Sequence, residues 1–74
     1  MPKKTAKTIS EHQQFLVEGL PNVSAVLAQR LLQHFGSIKS LANASEEELC
    51  QISGIGKNIA TDILEILNAE YLKD

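Results

Sequence analysis

Apolar residues recur at intervals of three and four positions in two long stretches of the chain. One stretch begins near Ser24 and ends before Gly36, a residue type favoured just past the end of a helix, and the other begins near Lys57. The first stripe contains Leu27, Ala28, Leu31, Leu32 and Phe35. The second contains Ile59, Ile63, Ile66 and Leu67, with Tyr71 as a further candidate. The spacing predicts two amphipathic helices.

Capping residues mark two further helices. Ser10 is a favoured N-cap, and Gln13 stands three positions later, where it completes a capping box. This helix is expected to end near Gly19. Ser45 and Glu48 form the same pattern, which predicts the start of another short helix.

A segment at 37–42 completes the set of elements. Ile38 and Leu41 would share one face of a short connecting helix. No stretch alternates apolar and polar residues with the period of two that indicates a strand, and no apolar run is long enough to span a membrane. The sequence therefore predicts an all-α fold of five short helices.

The chain also contains an internal repeat. When it is aligned with itself so that Asn22 meets Gly54, apolar residues of the two copies coincide. The matched pairs are Val17 with Leu49, Leu20 with Ile52, Val23 with Ile55, Leu27 with Ile59, Ala28 with Ala60, Leu31 with Ile63 and Leu32 with Leu64. Such a repeat predicts two copies of a helix–turn–helix unit that bury their apolar faces against each other.

We call the turn at residues 53–56 the second hairpin. Its two glycines allow backbone conformations with positive φ and leave room for a close approach, while Ile55 can enter the core. The first amides of the following helix lack partners within the helix and form an anion site, and Lys57 adds a positive charge. The predicted phosphate-binding residues are Gly54, Ile55, Gly56, Lys57, Asn58 and Thr61. The alternative is that the glycines only make a tight turn.

The equivalent turn at residues 21–24, the first hairpin, has weaker features. Asn22 can replace a glycine because asparagine tolerates left-handed geometry, and Ser24 can cap a helix or donate to a phosphate. Ala25 stands where the second copy has a lysine, so the positive charge is missing. A DNA-contacting role for Asn22, Val23, Ser24 and Ala25 and a purely structural role both stay open.

The total charge of the chain is −2, which is unusual for a protein that binds nucleic acid. Binding therefore requires a local positive patch, for which the candidates are Lys57, Arg30 and Lys39, with Lys3, Lys4 and Lys7. Residues 1–9 lack periodicity and are expected to form a flexible basic tail or linker, which leaves 10–74 as the folded domain. With few aromatic residues, a platform for stacking bases is not expected.

The sequence offers little for catalysis. Cys50 is expected to be a small packing residue, and the two histidines lie far apart without the spacing of metal ligands. Glu46, Glu47 and Glu48 are explained by capping, because consecutive helical positions point in different directions. No enzymatic activity, metal or cofactor is therefore expected, and a single cysteine suits an intracellular location.

Four segments and two helical positions together resemble a known domain. They are 20–28 (LPNVSAVLA), 31–38 (LLQHFGSI), 44–49 (ASEEEL) and 54–56 (GIG), with Ala60 and Ile63. The chain resembles the tandem helix-hairpin-helix domain over about residues 12–72. The most similar form is the C-terminal domain of XPF/Hef structure-specific endonucleases, and the C-terminal domain of UvrC is its nearest rival.

This resemblance implies two pseudo-symmetric helix-hairpin-helix motifs joined by a connector helix. It also implies binding to the minor-groove side of duplex DNA near forks, flaps or junctions, and a catalytic nuclease domain elsewhere. Members of the XPF/Hef branch dimerise through this domain, often with a C-terminal aromatic residue that packs into the partner, for which Tyr71 is the candidate here. Phe15 is expected either at the same interface or in the core. Family first hairpins often read Pro-Gly-Val-Gly, from which Asn22 and Ser24 depart.

Two functions follow from these observations. The first is a DNA-binding module without sequence specificity that positions and dimerises a DNA repair nuclease, in the cytoplasm of a prokaryote or in a nucleus. The second is a module for homodimerisation or heterodimerisation that binds little DNA of its own. The hairpin at 54–57 favours the first, and the acidic total charge favours the second.

Overall fold

A computed structural model describes residues 8–73, and this part of the chain contains five α-helices and no strand. They are α1 (Ile9–Glu18), α2 (Ala25–Phe35), α3 (Ile38–Ala42), α4 (Glu46–Cys50) and α5 (Lys57–Asn68). The all-α prediction and the number of helices are confirmed. Of the predicted tail, residues 1–7 lie outside the described residues.

The start of α1 differs from the prediction. The N-cap is Thr8 instead of Ser10: its hydroxyl accepts a hydrogen bond from the Glu11 amide (3.1 Å), and the Glu11 carboxylate accepts one from the Thr8 amide (2.8 Å). Glu11 therefore completes the capping box of Thr8, and its negative charge lies near the positive end of the helix.

The predicted helix boundaries at Ser24, Gly36 and Ser45 are confirmed. The Ser24 hydroxyl accepts from the Leu27 amide (3.3 Å), and Gly36 ends α2 in the left-handed conformation at φ 83°. Ser45 and Glu48 form the predicted capping box, with hydrogen bonds of 2.9 and 3.2 Å.

The repeat is visible in the packing. Helix α1 packs on α2 and α4 on α5, while the short α3 contacts both α2 and α5. We call α1, α2 and the first hairpin the first motif, and α4, α5 and the second hairpin the second motif. Hydrogen bonds coincide at equivalent positions: Ala28 N donates to Ser24 O over 2.8 Å, and Ala60 N to Gly56 O over 2.9 Å. The two predicted helix-hairpin-helix motifs and their connector are therefore present.

Both motifs contribute equivalent residues to one hydrophobic core. The buried apolar side chains are Val17, Leu20, Val23, Ala28, Leu31, Leu41, Ala44, Leu49, Ile52, Ile55, Ala60 and Ile63. Leu31 and Ile63 are equivalent in the repeat and both fully inaccessible, and burial of each such side chain contributes about 1.5–3 kcal/mol. The core thus holds the two motifs, and with them the two hairpins, in one fixed arrangement.

Two expectations about burial are wrong. Ile66 was assigned to the apolar stripe of α5 but is 58% exposed, because the buried face of α5 runs through Ala60 and Ile63. Cys50 was expected to pack in the core but is exposed at the end of α4, where the neighbouring Leu49 takes the buried position.

Candidate functional site

The second hairpin joins α4 to α5 through a turn that requires a glycine at its second position. Gly54 adopts φ 97°, in the left-handed region, and a Cβ atom there would lie 2.9 Å from Cδ2 of Leu27. Ile55 is buried, and its amide donates to the Ile52 carbonyl over 3.0 Å. The turn is therefore anchored in the core on one side, as the sequence predicted for Ile55.

Gly56 has no such structural reason to be a glycine. Its backbone is extended (φ −93°, ψ −178°), which any residue can adopt, and a Cβ atom would meet nothing within 4 Å. It occupies the N-cap of α5, where serine, threonine or aspartate would stabilise the helix, and it supplies no side-chain hydrogen bond. The glycine leaves open the surface over the first amides of α5.

The start of α5 can therefore receive an anion. Lys57, Asn58 and Thr61 are all exposed there. The amides of the first turn have no partner within the helix, and the helix dipole favours negative charge at this end. Phosphate oxygens are suitable acceptors for such amides, with Lys57 as an additional cation.

The first hairpin has similar backbone conformations at two equivalent positions and a different cap. Asn22 adopts φ 62°, so the prediction that asparagine replaces a left-handed glycine is confirmed. Ser24 has φ −82° and ψ 175°, close to the values of Gly56, but its hydroxyl already accepts from an amide of α2. Val23 is buried, and the exposed Ala25 supplies no charge. The first hairpin thus offers one amide fewer and no cation.

Arg30 connects the two motifs. It lies on α2, and its Nη1 donates a hydrogen bond of 2.9 Å to the carbonyl oxygen of Ser53, the first residue of the second hairpin. Sequence analysis placed Arg30 in a positive patch but missed this contact, because the two residues lie far apart in the chain and no local pattern relates them. Of the other patch candidates, Lys39 is exposed on α3, and Lys3, Lys4 and Lys7 lie outside the described residues.

The two aromatic interface candidates lie on different elements. Phe15 on α1 is 56% exposed, and Tyr71 is 89% exposed. Tyr71 does not extend the stripe of α5, since that helix ends at Asn68 and Ala69 is extended. Each ring is accessible to a partner molecule.

Other classes of site find no support in the part of the chain that the structure describes. Within it, no group of three histidine, cysteine, aspartate or glutamate residues is arranged to hold a metal ion. No helix among residues 8–73 has the length and apolar character needed to cross a membrane.

The chain is similar to several proteins of DNA and RNA metabolism. It is 48% identical over 68 residues to a protein of Methanocaldococcus jannaschii that carries the name of an ATP-dependent RNA helicase, covering 92% of this chain and 9% of that one. It is 42% identical over 71 residues to the 3'-flap repair endonuclease Xpf of Saccharolobus solfataricus, covering 96% and 30%. A UvrABC system protein C from Desulfatibacillum aliphaticivorans is 42% identical over 67 residues, covering 90% and 11%.

The chain is also similar to solved structures of XPF. XPF from Aeropyrum pernix superposes with a TM-score of 0.84 at 29% identity, covering 97% of this chain and 34% of that one. A structure of the same protein in complex with DNA gives a TM-score of 0.82 at 31% identity, covering 88% and 32%. The chain spans between about a tenth and a third of the length of these relatives.

The model of one family matches most of the chain. Its description is "Helix-hairpin-helix motif", and it matches residues 13–74. This agrees with the two motifs in the structure and with the similarity to XPF. The chain belongs to the helix-hairpin-helix family, with a tandem domain of the XPF/Hef type.

Proposed function

We propose that this chain is a DNA-binding module that holds the phosphate backbone of a duplex through its second hairpin. The observation that carries the proposal is Gly56: neither backbone conformation nor packing requires a glycine at this N-cap, yet it leaves the first amides of α5 uncapped beside Lys57. The similarity to a structure of XPF in complex with DNA supports the same ligand.

Binding would use the backbone amides of Lys57 and Asn58 as hydrogen-bond donors to phosphate oxygens, with the Lys57 ammonium nearby and Thr61 one turn further along α5. Such contacts carry no information about base sequence, so the module should bind duplexes of any sequence from the minor-groove side. With few phosphate contacts, affinity should be weak, and log affinity should fall against log salt with a slope of about one unit for each contact. Asn22, Val23, Ser24 and Ala25 would add a weaker contact.

The module would serve a larger nuclease, which it would direct to forks, flaps or junctions. The similarity to a 3'-flap repair endonuclease and to UvrC supports this context. Catalysis would come from another domain and the module itself would be non-catalytic. It would act where DNA is stored, in the cytoplasm of a prokaryote or in a nucleus.

A second candidate function is dimerisation. The large apolar side chains exposed on α1 and after α5 include Phe15, Leu16, Tyr71 and Leu72, the last two being 89% and 75% exposed. Exposed apolar groups of this size are common in interfaces. A homodimer or heterodimer through these residues is compatible with DNA binding by the second hairpin, because Lys57 begins α5 and Tyr71 follows the end of that helix.

The first function is tested by titrating the ¹⁵N-labelled chain with a short forked duplex at low salt. The amides of residues 54–61 should shift most, and those of 22–26 less. Lys57→Glu should abolish these shifts, whereas Lys73→Glu, the same change of charge beyond α5, should leave them. If no hairpin amide moves while Phe15 or Tyr71 responds to protein concentration, dimerisation is the better description.

A further inference from the structure

Arg30 belongs to the first motif, but its cationic side chain lies at the second hairpin. Its Nη1 donates to the Ser53 carbonyl over 2.9 Å and would lie 3.4 Å from a Cβ atom on Gly54. A single hydrogen bond thus fixes the guanidinium group beside the turn that precedes α5. Because the residue is exposed, this group is also in contact with solvent.

The positive charge of Arg30 is not neutralised by its partner. A carbonyl oxygen is uncharged, and within residues 8–73 Arg30 has no further polar contact and no carboxylate partner. This is notable in a chain with nine acidic and seven basic residues. A guanidinium group has five N–H donors, so the one directed at Ser53 leaves four for another acceptor.

The second motif contains no equivalent of this arrangement. The repeat places Asp62 where the first motif has Arg30, and Pro21 where the second hairpin has Ser53. A carboxylate accepts hydrogen bonds and cannot donate to a carbonyl oxygen. Among residues 8–73, therefore, only the second hairpin accepts a hydrogen bond from a cation of the opposite motif.

We infer that Arg30 is a phosphate-binding residue of the second hairpin, so that this DNA contact is built from both motifs. The inference rests on the proposed function and adds one residue to the proposed phosphate-binding site. The Ser53 carbonyl orders the guanidinium, and its free N–H groups bind phosphate oxygens of the backbone segment that reaches the start of α5. A planar guanidinium suits this ligand because it can bind two phosphate oxygens at once.

The test measures the affinity of the chain for a short duplex over a series of salt concentrations. Loss of one phosphate contact should reduce the slope of log affinity against log salt by about one unit. Arg30→Met should show this reduction, Arg30→Lys should restore the slope because it restores the charge, and Lys73→Met should leave the slope unchanged. An unchanged slope in Arg30→Met would overturn the inference, even if affinity fell, because Arg30 would then only support the turn.

Two further measurements separate this inference from the proposed function. In the unaltered chain, the Nε–H signal of Arg30 should shift when duplex is added, and a signal that stays in place at saturation would overturn the inference without any variant. If Lys57→Met loses binding while Arg30→Met keeps both affinity and slope, the proposed function stands and the inference fails. If the parent chain binds no duplex at low salt, both fail.

Discussion

The side chain of Leu27 lies directly against the backbone of Gly54. A methyl group on Gly54 would lie 2.9 Å from Leu27 Cδ2, and the residue has φ 97°. Leu27 belongs to α2 of the first motif, so the opposite motif restricts the second hairpin at the point where its backbone is left-handed. Gly54 is therefore required by the fold, whereas Gly56, two residues later, is not.

This difference predicts unequal effects of alanine at the two glycines. Gly54→Ala should lower the free energy of unfolding by about 1–3 kcal/mol, because it adds both backbone strain and a contact that is too close. Gly56→Ala should cost less than about 1 kcal/mol, since alanine is only a poorer N-cap than glycine. Urea unfolding followed by circular dichroism measures both. Equal losses would show that Leu27 moves aside and that the turn tolerates a side chain.

Local patterns were sufficient to predict the helices. Ser24, Gly36 and Ser45 act within a few residues of their own positions, and the structure confirms each as a helix boundary. The predicted start of α1 was wrong because two pairs of residues satisfy the spacing of a capping box, Thr8 with Glu11 and Ser10 with Gln13. The apolar residues of α1 could not decide between them, since both Phe15 and Leu16 are exposed.

The corrected cap can be tested with two alanine substitutions. Thr8→Ala should destabilise the chain by about 1 kcal/mol, because it leaves the Glu11 amide without its acceptor. Ser10→Ala, inside α1, should be neutral or slightly stabilising, since alanine is the better helix former. Thermal unfolding of the two variants beside the parent gives the comparison. A larger loss of stability in Ser10→Ala than in Thr8→Ala would show that Ser10 is the N-cap.

The site was less predictable than the helices. Sequence patterns located both hairpins and the left-handed Asn22, because these properties depend on residue type and near neighbours. They did not reveal that Arg30 donates to Ser53 or that Cys50 is exposed, because both depend on how distant helices pack. The repeat made the two hairpins look equivalent, and only the structure shows that one of them receives an arginine from the other motif.

The proposed dimer predicts that DNA binding and association can be separated. Tyr71→Ala should weaken self-association at least tenfold if the ring is a central contact of the interface, since such residues contribute about 2 kcal/mol or more. Phe15→Ala should have an effect in the same direction. Sedimentation equilibrium over a range of concentrations measures both.

The matched control for the dimer is Lys57→Glu, at the start of α5, whereas Tyr71 follows the end of that helix. It should abolish binding to duplex DNA and leave the association constant unchanged. Conversely, Tyr71→Ala should still show shifts of the amides at 54–61 when duplex is added. A parent chain that remains monomeric at every concentration would remove self-association from the proposal and leave only association with a different partner.

Exchanging the N-cap residues of α2 and α5 should change the stability of the chain and the DNA binding of the two hairpins in opposite directions. Ser24 and Gly56 have nearly the same φ and ψ, so each position can accept the other residue without a change of backbone. Gly56→Ser should stabilise the chain by a few tenths of a kcal/mol, since its hydroxyl can accept from the Ile59 amide. It should also weaken binding to duplex DNA, because the added side chain occupies the surface that Gly56 leaves open over the first amides of α5.

Ser24→Gly is the reciprocal change. It should lower the free energy of unfolding by a few tenths of a kcal/mol, because the Leu27 amide loses its acceptor. With this amide free, duplex DNA should shift the amides of residues 22–26 more than in the parent. Unfolding in urea and the same titration with forked duplex measure the two effects in each variant. If Gly56→Ser binds DNA as tightly as the parent, the open surface at Gly56 does not contribute to phosphate binding, and the contact depends on the Lys57 and Asn58 amides and on the side chains of Lys57 and Arg30.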